Sequence, residues 1–344
     1  MAINLNYEPN VLVEDITALS EEEWLEWRKT GIGGSDVAAV LGVSPWKSGR
    51  ELYYEKIGRK PVVDEDMNWV ALEVGHRLED LVAEIYRRKT GYKVYPIRKI
   101  LQHPLHSFMI ADVDFFVEKP NGRRGILETK TSHLNNIVKW KDGQVPRHYE
   151  LQGKHYLSVA NVDFAAFACL FSNNEADFVY QEVERDLDEE EITIQELGHF
   201  WNNYVLLRQE PPLVESADLC IQALRKYISP SPSTTPFKLP RVFQPSLEQI
   251  LQLKNEKSRL EREARELDEE IRKLYVPVVD AMGSNTSAVY QSGGEEYSVT
   301  YLPNIRTSIK KEARERFQKE HPDIYEEYVS ISESRTFSLK KTAI

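Results

Sequence analysis

The feature that most constrains this 344-residue chain is one amphipathic helix pattern followed at once by three strand-like runs. Across residues 69–89, Val70, Val74, Leu78, Leu81, Val82 and Ile85 recur at helical spacing, and Gly91 ends the pattern. The runs 93–101, 107–117 and 125–131 follow as expected consecutive hairpins, the last two joined by the turn sequence Lys119-Pro120-Asn121-Gly122. A helix of this kind has one apolar face to bury, and neighbouring strands supply the sheet that covers it. Beyond them, 145–159 reads as a helix led in by Pro146. Residues 164–171 read as a buried strand, 178–183 as its antiparallel neighbour, and 192–208 as a further helix. The expected fold class is α/β (α+β), a mixed central sheet flanked by helices.

Upstream, Ser20 and Glu23 form a capping box for a short helix carrying Trp24, Leu25 and Trp27 and ending at Gly31. Gly31-Ile32-Gly33-Gly34-Ser35-Asp36 reads as a loop into a second helix with Ser35 as its N-cap, and Ser48 with Glu51 caps a third. After Glu210 the pattern breaks into Pro211, Pro212 and a Ser/Pro-rich stretch at 229–236. The expected organisation is therefore a first domain over 1–215, a linker over 216–240 and a C-terminal domain over 241–344. In the last, Leu253, Leu260, Leu267 and Leu274 recur every seven residues with Ile250, Lys257, Ala264 and Ile271 on the alternate seam, which predicts a coiled-coil-like helix before Pro277. A hairpin around 292–294, a charged helix near 310–318 and a strand around 336–339 complete the reading.

Composition excludes several classes. Hydrophobic residues at 41% and charged residues at 29% suit a globular chain rather than a disordered one. No apolar run reaches the ~18 residues a membrane helix needs. Two cysteines, Cys169 and Cys220, are too few for a disulfide framework or a Cys-based zinc site, so the expected compartment is the cytoplasm. A net charge of −11 argues against nucleic acid only until its distribution is read. Residues 175–196 hold ten acidic groups against Arg185 alone, whereas 28–60 and 123–155 each hold seven basic against three acidic. A phosphate-facing surface is compatible with that pattern.

The chemistry-bearing residues are Asp112 in one strand-like run and Glu128-Thr129-Lys130 in the next. Paired strands would bring Asp112 and Glu128 to one hard divalent cation, and period-two alternation puts Lys130 on the face of Glu128. Phosphodiester hydrolysis needs a cation to stabilise developing charge and an ammonium to orient the attacking water. Around this core stand Gly75-His76-Arg77-Leu78-Glu79 on the long helix and Pro146, Tyr149, Gln152 and Tyr156 on the helix after the strands. Near the N-terminus stand Trp27-Arg28, the Gly31–Asp36 loop with Ala38, and Leu41-Gly42 with Ser44-Pro45-Trp46. In this order, over roughly residues 20–210, the chain resembles the PD-(D/E)xK nuclease superfamily and, within it, the YqaJ-type viral recombinases related to phage lambda exonuclease. Two departures stand out. Asp112-Val113-Asp114 replaces the usual Asp-Gly, which makes Asp114 a rival ligand, and the turn before Glu128 is longer.

The resemblance implies a PD-(D/E)xK core acting as a magnesium-dependent (or manganese-dependent) 5′ to 3′ double-strand DNA exonuclease, resecting ends for phage-type recombination. It assigns Asp112, Glu128, Glu79 and the Thr129 carbonyl to the metal, Lys130 to the attacking water, and Gln152 to that water or the scissile phosphate. Arg28 and Ser35 would hold a terminal 5′ phosphate. Apart from the resemblance, Trp46 in Ser44-Pro45-Trp46-Lys47 has two readings, stacking on an end base or closing the core beneath its loop, and the core is the expected one. The implied partners are double-stranded DNA ends, a single-strand annealing protein and further copies of the chain, up to a ring trimer, with no membrane. Two other readings stay open at this stage. One is a Cas4-like or RecB-like nuclease, which the cysteine count disfavours. The other is a non-catalytic DNA-end-binding module, which intact Asp112, Glu128 and Lys130 disfavour.

Overall fold

A strand β1 (Asn10–Val13) leads to helix α1 (Glu21–Lys29), where Ser20 and Glu23 close the expected capping box: each accepts the other's backbone N–H. In this computed structural model residues 3–62, 69–229, 235–293, 295–303 and 311–328 are described. They fall into two compact units, Met1–Pro232 and Ser233–Ile344.

In the first unit α2 (Gly34–Val40), α3 (Gly49–Lys56) and the long α4 (Trp69–Thr90) precede the strands β2 (Lys93–Pro96), β3 (Ile100–Gln102), β4 (Ile110–Asp112), β5 (Phe115–Glu118) and β6 (Arg124–Thr131). Then come α5 (Arg147–Ala160), β7 (Phe164–Leu170), β8 (Phe178–Glu184), α6 (Leu187–Phe200) and α7 (Ala217–Tyr227). The central sheet has the order β2-β5-β6-β7-β8 and is mixed: β6 and β7 run parallel, and the other neighbours antiparallel. Its two faces bury alternate residues. Leu127, Ala166 and Ala168 pack beneath Val82, Ala83 and Tyr86 of α4, while Ile126, Ala165, Phe167 and Cys169 join Leu151 and Leu157 of α5 and Val37 of α2. At about 1.5–3 kcal/mol per large apolar side chain buried, this double burial fixes strand register, since a slip by one residue would exchange the faces. Glycine permits the closest approach: a Cβ on Gly153 would lie 2.3 Å from the Phe167 ring.

Two expected strand runs differ from the sequence reading. Residues 93–101 and 107–117 each break in the middle, and the halves enter different sheets. β3 pairs with β1 on one side and β4 on the other in a separate three-stranded sheet, while β2 and β5 pair in the central one. Pro96 cannot donate to a ladder, which ends β2, and the Ile97 N–H instead meets the Asp114 carbonyl across both breaks at 3.0 Å. Residues 217–227, read above as the start of the linker, form α7. Its Tyr227 is buried against Tyr54 of α3 with ring centroids 4.9 Å apart. α6 starts earlier than expected and continues through a π-helical turn at Trp201–Leu206.

The second unit holds α8 (Gln244–Met282), the hairpin β9 (Ser287–Ser292) with β10 (Glu295–Thr300), and the short helices α9 (Lys311–Glu320) and α10 (Pro322–Tyr328). α8 runs through Pro277 instead of stopping there, and Leu253, Leu260, Leu267 and Leu274 of its heptad seam are exposed. The strand expected around 336–339 lies outside the described residues. Among the described residues no helix is long and apolar enough to cross a membrane.

Candidate active site

A cleft of about 600 Å³ opens where α1, the start of α2, α4, β4, β5, β6 and α5 converge. Arg28, Ser35, Glu79, Asp112, Glu128, Lys130 and Gln152, all selected from sequence, line it, together with Trp24, His76, Asp114 and Tyr156. Thr129 lies just outside, on the neighbouring surface shared with Glu79 and Lys130.

Its centre is Glu128 on β6. The carboxylate is buried: Oε1 accepts from Lys130 Nζ and Gln152 Nε2, each at 2.5 Å, and Gln152 Nε2 also lies 3.2 Å from the Tyr156 hydroxyl. Oε2 is buried without a hydrogen-bond partner among the described residues. Burial first, then the negative charge of Asp114, pushes the Glu128 pKa up to about 8. Glu79, presented by α4, is raised to about 7 by burial and again by Asp114. Lys130 shows the reverse balance: burial alone would discharge it, but Glu128 and Asp114 outweigh that and hold it as an ammonium. Its Nζ also lies 5.1 Å from the centroid of Tyr149.

The two rival aspartates take different places in the cleft. Asp112 ends β4, outside the central sheet, and its carboxylate accepts from Trp24 Nε1 at 2.7 Å. Asp114 immediately precedes Phe115, which pairs with Leu127, so the chain brings Asp114 opposite Glu128. Its Oδ2 accepts from both the N–H and the hydroxyl of Thr129 at 2.9 Å. The expected side-by-side strands of Asp112 and Glu128 therefore do not form, because the chain leaves one sheet and joins the other between residues 112 and 115. Both aspartates still line the cleft.

At the other wall, Arg28 Nη2 donates to Ser35 Oγ at 2.7 Å and to Asp36 Oδ1 at 3.2 Å, with its guanidinium over the Trp24 ring. Ser35 is not the N-cap of α2; Gly33 is, and Ser35 sits in the first turn with its hydroxyl turned to Arg28. Gly34 is required here: a Cβ would lie 2.4 Å from the Tyr156 ring that closes the cleft. Asp36, passed over in the sequence reading, is the keystone. It is buried and accepts from Lys56 Nζ at 2.7 Å and from the Gly33 N–H at 3.0 Å. Burial raises its pKa, but Lys56 and then Arg28 outweigh it, and the net value falls well below the usual carboxylate range. The spacing Gly33-x-x-Asp36, an acid three residues after a cap, was the signal that could have found it. Trp46 is the other departure: it is 59% exposed rather than core.

Whether these residues suit a metal turns on the orphaned Glu128 Oε2. Asp114 and Glu79 raise the Glu128 pKa, so three carboxylates share one field that Lys130 only partly offsets, and a hard divalent cation satisfies such an oxygen set. Among the described residues no three His, Cys, Asp or Glu side chains stand close enough to coordinate an ion without adjustment.

Residues 23–163 match the family model of the YqaJ-like viral recombinase domain. The uncharacterized protein YqaJ of Bacillus subtilis strain 168 is 31% identical over 328 residues, covering 94% of this chain and 96% of that protein. The chain belongs to the YqaJ-like viral recombinase family. The matched span runs from α1 into the loop before β7, so the family segment contains every residue placed in the cleft above. Solved structures are looser relatives. LHK-Exo, crystallised in complex with dAMP, is 21% identical with a TM-score of 0.46, covering 55% of this chain and 94% of that one. A phage-related exonuclease from Haemophilus somnus 129PT is 14% identical with a TM-score of 0.40, covering 54% and 99%.

Proposed function

We propose that this member of the YqaJ-like family is a magnesium-dependent 5′ to 3′ double-strand DNA exonuclease that resects ends for phage-type recombination by strand annealing. The observation that carries the reading is the convergence, in one cleft, of a buried carboxylate with an orphaned oxygen, the further carboxylates of Glu79, Asp112 and Asp114, a charged lysine and an arginine–serine pair. Asp114, Glu128 and Glu79 would hold the magnesium, for which manganese can stand in, with Asp112 behind them. When bound, the ion supplies charge neutralisation at the scissile phosphate and acidifies a water.

This chain's own residues do the positioning. Lys130, kept charged by Glu128 and Asp114, orients the attacking water and the phosphate oxygen rather than removing a proton. Gln152 fixes the Glu128 carboxylate in one orientation by holding Oε1, which leaves the unpartnered Oε2 for the ion. Arg28 and Ser35 supply a charge-assisted cradle for a terminal 5′ phosphate, which sets polarity by measuring from that end. Resection exposes single strand, and an annealing protein docked on the exposed α8 seam would meet it at raised effective concentration. Further copies of the chain, up to a ring trimer, would keep the enzyme on its strand.

The test is digestion of linear duplexes bearing 5′ phosphate, 5′ hydroxyl or blocked ends, with magnesium or with chelator. Stepwise nucleotide release from phosphorylated ends, dependent on the metal and lost in Lys130→Ala, is expected. Binding without hydrolysis, or unchanged digestion by Lys130→Ala, refutes the reading.

A further inference from the structure

A second cleft, of about 660 Å³, lies against the first, and Arg28, Ser35 and Gln152 line both. Its lining mixes aromatic and basic side chains with the carboxylates of Glu22, Glu26, Asp36 and Glu55. Trp46, 59% exposed, stands edge-on to His148 with ring centroids 4.5 Å apart and lies 6.0 Å from Tyr149. His148 Nε2 is buried and lacks a hydrogen-bond partner. Lys47, Arg59 and Lys60 line the same cleft; Lys47 pairs with Glu55 and Arg59 faces Glu210 at 3.9 Å, whereas among the described residues Lys60 has no ion pair. A large exposed indole beside an unsatisfied imidazole nitrogen and cations is the chemistry of base stacking, edge recognition and phosphate contact.

We propose that this cleft binds unpaired nucleotides lying 5′ of the phosphate held by Arg28, so that a 5′ tail is stacked on Trp46 and removed in one piece. The inference rests on the exonuclease reading above. If a terminal phosphate sits between Arg28 and Ser35, the duplex lies toward Glu128, and anything beyond that phosphate enters the second cleft. For a tailed end, an internal phosphate takes the Arg28 position. Water then adds to the next phosphorus and the P–O3′ bond breaks. The tail plus one nucleotide leaves with a 3′ hydroxyl, and the recessed strand keeps a new 5′ phosphate ready for stepwise digestion. A blunt end places nothing in the second cleft.

The test compares a blunt duplex with one carrying a short unpaired 5′ tail, using the full chain with Trp46→Ala and Trp46→Phe variants whose melting matches the wild type. The wild type should release the tail and one nucleotide as a single first product. Trp46→Ala should slow that release roughly ten- to hundredfold, the loss expected for stacked bases, while leaving blunt-end digestion unchanged, and Trp46→Phe should recover most of it. In chelator, anisotropy should show the tail tightening binding by a similar factor in the wild type and not in Trp46→Ala. Removal of the tail one nucleotide at a time, equal losses on blunt and tailed ends, or no effect of the tail on binding overturns the proposal. Tail-dependent binding without any digestion would retain the cleft and overturn the exonuclease reading instead.

Discussion

If Glu128 and Glu79 hold magnesium as proposed, its binding should tighten steeply with pH, because burial and Asp114 favour the protonated form of both carboxyls in its absence. Burial and Asp114 raise Glu128 to about 8 and Glu79 to about 7. At pH 6 each binding event must therefore expel about two protons, and between pH 7 and 8 about one. From pH 6 to 8 the affinity should rise about five hundredfold, roughly fiftyfold from Glu128 and roughly tenfold from Glu79. Stability is linked in the opposite sense. Both folded pKa values lie above the unfolded carboxyl value of about 4.3, so the stability these groups contribute to the metal-free protein is complete below that value and is lost as pH rises through 7 and 8. Magnesium should restore it, and its thermal shift should be largest at mildly alkaline pH. Titration calorimetry at pH 6, 7 and 8, in buffers of different ionisation enthalpy, counts the protons directly. Glu128→Gln should remove about one of them. A dissociation constant flat across this range, with no proton release, would show that Glu128 and Glu79 do not receive the ion.

The two aspartates should separate: Asp114→Asn lowers duplex digestion more than about a hundredfold, and Asp112→Asn, whose carboxylate is held by Trp24, about tenfold or less. The opposite ranking in a digestion assay would restore Asp112 to the metal. Arg28→Ala should cost about ten- to hundredfold on 5′-phosphorylated ends and little on hydroxyl ends, as the loss of a charge-assisted contact of about 1.5–3 kcal/mol requires; equal losses would make Arg28 structural. Asp36→Asn leaves Lys56, itself buried, without its counter-charge, so urea unfolding at pH 7 should show a loss of about 3–5 kcal/mol. The wild-type share of that stability is present above pH 4 and is lost as pH falls toward the depressed Asp36 value. Ending the chain at Pro232 should leave a folded protein that still digests linear duplex, and an insoluble product would mean that the two units share a core.

Local chemistry was legible in the sequence because it is written in short-range spacing. The Ser20–Glu23 capping box, the extent of α4, the turn before β6 and the shared face of Glu128 and Lys130 all depend on residues within a turn or a strand of one another, although Val70, Val74 and Leu81 of the apolar stripe read on α4 are exposed. Glu79, Gln152, Arg28 and Ser35 could be chosen because the family pattern lists residues in order, and the fold brings them to one cleft. What required the tertiary structure is wherever two elements compete for the same residues. Both Asp112 and Asp114 sit in one unbroken strand-like run, and nothing local says that the chain changes sheets between them. That is decided by Pro96 ending β2 and by β3 pairing with β1 and β4 in a second sheet. Asp36 reads as a helix-start acid until Lys56 and Arg28 arrive from other helices. Trp46 reads as core by its hydrophobicity, yet it stands in a cleft against His148 of α5, about a hundred residues away. Propensity and periodicity act over a few residues, whereas charge pairing and sheet membership depend on which distant segments are adjacent in space, and only packing settles that.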